Sequence, residues 1–247
     1  MNQFSNFPNR DKAVLIGLYL SKFDKKALDE FGFTGFRQAY NVLGYSLGVI
    51  PKSIQNYRDE FDPYFPNSRQ GWRGRKLRDY CKEIMLQADT LDFDKYTSIV
   101  KDFIITNNDL EKLSKKQDTN KSIANRLITG RAAEEYFRRN HTNIDIFKGL
   151  DMFDTTYLGC GFDFKLSSSN QFFCVEVKGL NDKTGSVLMT EKEFDIASSM
   201  RDKYCLFVVK NFRERPEHQF FLDPLNSSLT FKEQKRHVIQ TSYSTWL

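Results

Sequence analysis

The chain has 247 residues, is 40% apolar and 15% aromatic, and carries 23 phenylalanines, enough for one large core or two small ones and too much for a disordered chain. Its 37 basic and 32 acidic residues leave a net charge of +5 and a pI near 8.9, a balance that suits a polyanionic partner. No run approaches the about eighteen consecutive apolar residues of a membrane span, so no membrane role is expected.

The N-terminal MNQFSNFPNRDKAV lacks the charged-then-apolar order of a secretion signal. Cys81, Cys160, Cys174 and Cys205 show no two-residue spacing. A disulfide framework or structural zinc is therefore not expected, and buried thiols in a reducing cytoplasm are.

In chain order, apolar residues at helical spacing predict a helix over Asp11–Phe23 with Asp11 as its cap. Phe33–Tyr45 follows, with Thr34 as cap. Pro51–Phe61 is the third, its proline in a first turn where a missing N–H costs nothing. Arg75–Ala88 and Asp94–Ile105 complete a helical half. Residues 107–121, NNDLEKLSKKQDTNK, read as a polar linker or exposed helix end.

A helix is predicted over Ile123–Arg139, and the pattern then turns to strands: Gly161–Ser167, Phe172–Lys178, Cys205–Lys210 and His218–Leu222. Between the second and third, Glu191–Met200 reads as a helix with a capping box of Thr190 and Glu193. The fold class expected is α+β or α/β, with a helical domain at 1–115 and a mixed-sheet domain flanked by helices at 116–247.

Two carboxylates and an amine interrupt the strands. Glu176 and Lys178 stand two apart and so project from one face. A hairpin turning through Ser168-Ser169-Asn170 brings Asp163 alongside. Left bare in a core these charges would cost several kcal/mol, on the order of that for any unpaired buried ion. Two carboxylates with waters are what Mg²⁺ accepts, and a lysine can hold an attacking water. An exposed cross-face ion pair is the plainer alternative.

Asp163 followed by Glu176-Val177-Lys178 resembles the PD-(D/E)xK nucleases, with Phe162 where many members have proline. The segments GRAAEEYF, GCGFDF, VEVKG, TEKEFDIA and CLFVVK, in that order, are similar to one branch, the C-terminal domain of NO VEIN proteins, found in restriction and defence systems. The resemblance implies Asp163 and Glu176 as metal ligands, Lys178 as the catalytic lysine, and Glu134 as a helix carboxylate reaching the metal through water. It implies Mg²⁺ as cofactor, duplex DNA as substrate, a homodimer for double-strand cleavage, and a cognate DNA methyltransferase in the same system. Glu193 is left between a place in the site and its capping role.

In the first half, Phe33–Tyr45, a short glycine turn and Pro51–Phe61 resemble a helix-turn-helix. Lys52, Ser53, Gln55, Asn56 and Arg58 would face a major groove, with Ile54, Tyr57 and Phe61 packed behind. From Arg69 to Lys82 six basic residues meet one acidic, a net of +5. Arg69, Arg73 and Arg75 would touch phosphates there. A solvated helical bundle is the bland alternative.

Together these features predict a Mg²⁺-dependent, sequence-specific restriction endonuclease. Alternatives are a modification-dependent or partner-activated defence nuclease, and a DNA-binding regulator that does not cut. No Gly-rich phosphate loop and no paired histidine spacing support an NTPase or a histidine-metal site.

Overall fold

Helix α1 begins one residue after Pro8, spans Asn9–Phe31, and bends at Asp24, whose φ of 47° is non-helical. It runs eight residues beyond its expected end, past that bend. Pro8, not Asp11, is its N-cap; Asp11 lies in the first turn and accepts from Arg10. The computed structural model describes residues 3–69, 71–104, 120–235 and 245.

α2 spans Phe36–Ser46 with Gly35 as N-cap. Thr34 does not cap it, because Gln38 Oε1 takes both the Thr34 N–H (2.8 Å) and its hydroxyl (3.1 Å). α3 spans Pro51–Phe61, as the sequence predicts, with Ile54 and Phe61 fully buried. α4 spans Asp79–Gln87, four residues shorter at its start than expected. The buried carboxylate of Glu60 takes the Arg78 backbone N–H (3.0 Å) and its guanidinium, which holds Arg78 extended ahead of the helix. α5 spans Phe93–Ile104. Of the expected linker, 107–119 lies outside the described residues, and Asn120 and Lys121 already belong to α6, Asn120–Asn140.

The second half is a five-stranded mixed sheet in the order β1-β2-β3-β4-β5. β1 is Asp151–Asp154, β2 Phe164–Ser167 and β3 Phe172–Gly179. These three form an antiparallel meander. Helix α7, Glu191–Met200, crosses to β4, Tyr204–Lys210, which lies parallel to β3. β5, Glu217–Leu222, pairs antiparallel with β4. β1 was not foreseen, and β2 starts three residues later than expected. The chain before it is looped: Thr155 N–H donates to Asp163 O, and Asp163 N–H donates to Val175 O.

Alternation along β3 divides the sheet. Phe173, Val175 and Val177 join the main core with Ala132, Ala133 and Phe137 of α6. Cys174 packs on the other side against Ala197 of α7 and Tyr204. The main core runs without a break from Phe4 through the helices to Phe212. Side-chain amides and a hydroxyl bridge the two halves. Asn41 Nδ2 donates to Phe212 O (2.8 Å) and Glu214 O (2.9 Å), Asn125 Nδ2 to Phe31 O (2.8 Å), and Ser46 Oγ to Ile128 O (3.0 Å). The expected boundary at residue 115 lies outside the described residues. Among the described residues, no helix is long and apolar enough to cross a membrane.

Candidate functional site

β3 ends at Gly179, and that glycine sets how closely α6 approaches. A Cβ there would lie 2.7 Å from Thr129 O and 3.2 Å from Ala133 Cβ. Just before it, Glu176 and Lys178 occupy the face turned toward α7. Glu176 is only 4% exposed, and Lys178 Nζ lies 2.6 Å from its Oε1. The same Nζ donates to Glu193 Oε2, also at 2.6 Å. Asp163, at the entry to β2, accepts from the Val177 N–H through Oδ2 (2.8 Å), which fixes its carboxylate beside β3.

α7 explains how Glu193 arrives. Thr190 caps the helix and accepts from Glu193 N–H (3.2 Å), while Glu193 Oε2 accepts from Thr190 N–H (3.0 Å). One oxygen therefore serves both the capping box and the lysine. Glu193 thus caps α7 and contacts Lys178 at once.

Two carboxylates, Glu176 and Glu193, thus hold the Lys178 ammonium, and the charge of Asp163 acts on Glu176 beside them. Burial raises the Glu176 pKa, and the charges of Asp163 and Glu193 push it further up than Lys178 pulls it down, to about 9. Burial draws the Lys178 pKa down, but Glu176 and Glu193 outweigh it and hold the ammonium above its ordinary value. The cluster retains a proton that isolated carboxylates would have released. The donor set fits a hard divalent ion that keeps several waters, since two oxygen-bearing side chains and an excess of negative charge meet at a strand end. Among the described residues no three Asp, Glu, His or Cys side chains form a ready cage.

Glu134 is placed elsewhere. It sits on α6, which covers the opposite face of the sheet, and lines a cavity that shares no residue with the Asp163–Glu176–Lys178 cluster.

The arginines of the helical half divide into two sets. Arg58 is held over the Phe36 and Tyr40 rings and paired with Asp59 (2.6 Å) and Asp62 (3.4 Å). Arg69 is paired with Asp62 (2.8 Å) and with Asp24 at the α1 bend. Both brace the fold internally. Arg78 is likewise bound to Glu60. Arg73, Arg75, Lys76 and Lys82 are exposed and make no ion pair among the described residues; Arg75 lies 4.8 Å from the Trp72 ring. On α3, Lys52 is exposed and donates to Gln55 (3.0 Å), while Ser53, Gln55 and Asn56 are half-buried.

Sequence reasoning missed the ion pair of Arg138 with Asp154 (2.6 Å), which ties α6 to β1. No local signal announces it, since β1 is four residues long and flanked by aspartates.

The family described as Protein NO VEIN, C-terminal, matches residues 132–222. No curated protein and no solved structure matches the chain. The matched segment runs from the middle of α6 to the end of β5 and contains Asp163, Glu176, Lys178, Glu193 and Glu134, so the candidate cluster lies wholly within the part of the chain that is similar to NO VEIN C-terminal domains.

Proposed function

We propose that the protein is a Mg²⁺-dependent endodeoxyribonuclease of the PD-(D/E)xK type, acting on duplex DNA that its helical half recognises as a restriction enzyme does. One observation carries the reading. At the carboxyl end of β3 a nearly buried carboxylate and an amine share a face and meet two further carboxylates. An excess of buried negative charge brings no structural return on its own. A divalent cation is the partner that balances it.

Asp163 and Glu176 would hold that ion. When bound, Mg²⁺ polarises the phosphoryl group and makes a water more acidic. Lys178 holds the attacking water through Nζ or steadies charge developing on phosphorus-bound oxygen. Glu193 keeps the ammonium at that position. The new O–P bond forms as the bond to the leaving oxygen breaks.

The helical half supplies recognition. α2, the turn at residues 47–50 and α3 have the order of a helix-turn-helix, with Lys52, Ser53, Gln55 and Asn56 toward the groove. Arg73, Arg75, Lys76 and Lys82 supply phosphate contacts. One cluster per chain cuts one strand, so double-strand cleavage needs two copies or two successive nicks.

The test is incubation of the purified chain with unmodified and modified plasmid and phage DNA, with Mg²⁺ and with EDTA. We expect discrete fragments that vanish with EDTA. Lys178→Ala should abolish cutting, by at least about a hundredfold as for loss of a general catalytic group, with DNA affinity retained. Cutting of modified DNA alone shifts the reading to modification-dependent defence. Binding without any cutting would sink the catalytic assignment in favour of a DNA-binding regulator.

A further inference from the structure

The cavity that Glu134 lines lies between α6, the C-terminal turn of α2 and the connection from β1 to β2. Its volume is about 690 Å³, within the range of small-molecule sites, roughly 300–1,000 Å³. Three features distinguish it from a chance gap in packing.

The first is Arg131. Its Nε donates to Ser46 O (3.2 Å), which fixes the guanidinium against the wall, and it makes no ion pair among the described residues. Arg138 stands two helical turns along on the same face of α6 and lines the cavity too, with its guanidinium bound to Asp154 (2.6 Å). The Arg131 guanidinium offers planar donors to a phosphate.

The second is Gly130. A glycine inside a helix is destabilising relative to alanine, yet a Cβ at this one would meet nothing within 4 Å. The space beside it is open, so a larger side chain at this position projects into the cavity that Gly130 lines. Gly48, at the far wall with φ +73°, likewise presents backbone, 3.5 Å from Glu135 Oε1 at its Cβ position.

The third is Tyr157. It is 70% exposed, far more than a large ring ordinarily is in the absence of a partner, and it lines the cavity from the β1–β2 turn. A ring so placed is a stacking platform, which nucleobases use without regard to sequence.

We infer that this cavity binds a nucleoside phosphate, with the phosphate on Arg131 and the base against Tyr157. The ligand has two sources with the same chemistry: a free nucleotide, or a nucleotide everted from bound DNA. The free-nucleotide arm is independent of the cleavage reading; the everted arm rests on the DNA-binding half of it.

The full chain should be titrated with nucleoside 5′-monophosphates, with the matching nucleosides and with inorganic phosphate, followed by calorimetry and thermal shift. Duplexes carrying 2-aminopurine should be tested in parallel by fluorescence. The key variant is Gly130→Leu, which fills the cavity from an open position and favours helix. Arg131→Ala and Tyr157→Ala remove the two proposed contacts.

Saturable binding of a monophosphate, weakened at least tenfold in Arg131→Ala and lost in Gly130→Leu, supports a free ligand. A fluorescence rise on binding that Gly130→Leu removes while overall DNA affinity persists supports an everted one. Inorganic phosphate binding as tightly as the monophosphates overturns the inference, because no base is then read. Absence of both signals in a folded wild-type chain overturns it as well. Lys178→Ala should leave every one of these signals in place, so failure here is distinguishable from failure of the cleavage site.

Discussion

Glu176 is where the residues of the candidate site register their mutual cost. Its carboxyl is ionised in an unfolded chain above about pH 4.5, yet in the fold it holds its proton until about pH 9. A raised carboxyl pKa adds stability that is complete below the unfolded value and is lost as pH climbs to the folded one. We therefore expect the metal-free protein to lose melting temperature from pH 5 toward pH 9 and to recover part of it when Mg²⁺ is added. Glu176→Gln should flatten both responses, and thermal melts with and without EDTA across that range check this. An equal alkaline decline in the variant would assign it to other groups. The proximity of Asp163, Glu176 and Lys178 was legible because strand alternation and a hairpin are short-range rules. The internal roles of Arg58 and Arg69 were not, because Asp62 and Asp24 are brought to them by tertiary packing that no local pattern encodes.

Among the elements, the contact of α6 with the end of β3 bears most directly on the site. Gly179 lets the Thr129 carbonyl come within a distance that any side chain would forbid. Gly179→Ala should push α6 away, cost about 1–3 kcal/mol as overpacking does, and lower cleavage by displacing Lys178, one residue earlier. Unfolding midpoints and cleavage rates measured together test this; a full-strength enzyme of unchanged stability would show that the gap closes without consequence. α3 and the α7 capping box were readable, since proline at a first turn and a Thr-x-x-Glu sequence carry their own geometry. The cap of α1 was misread because the helix starts at Asn9, ahead of Asp11, and that of α2 because Gln38 takes the Thr34 hydroxyl. β1 was unreadable, as four residues with acidic ends carry neither strand alternation nor a turn signal.

For the molecule as a whole, charge is less available than composition suggests. Of the six basic residues from Arg69 to Lys82, Arg69 and Arg78 are committed to Asp62 and Glu60, and four remain for a partner. Arg73→Ala with Arg75→Ala should weaken DNA binding and reduce the salt slope by about 1.8, two phosphate contacts at roughly 0.9 each. Binding isotherms at several salt concentrations measure it, and an unchanged slope would make the patch a bystander. The order of helices followed by a mixed sheet was visible in hydrophobic period, with the change to strands read about ten residues late, at Gly161 rather than Asp151. The continuous core was not, because Asn41 meets Phe212 and Glu214 only after both halves have folded.

The four cysteines give this arrangement a practical handle. Cys81, Cys174 and Cys205 are buried, and burial pushes each thiol up, Cys81 to about 12 and Cys174 to about 11. They remain thiols at neutral pH, and thiolate is the form that alkylates. Cys160 alone is partly exposed, and it sits in the loop three residues before Asp163. A maleimide dye added to the unaltered chain will therefore attach at a single native position. It will report from the rim of the carboxylate cluster whenever an ion or a DNA strand arrives there.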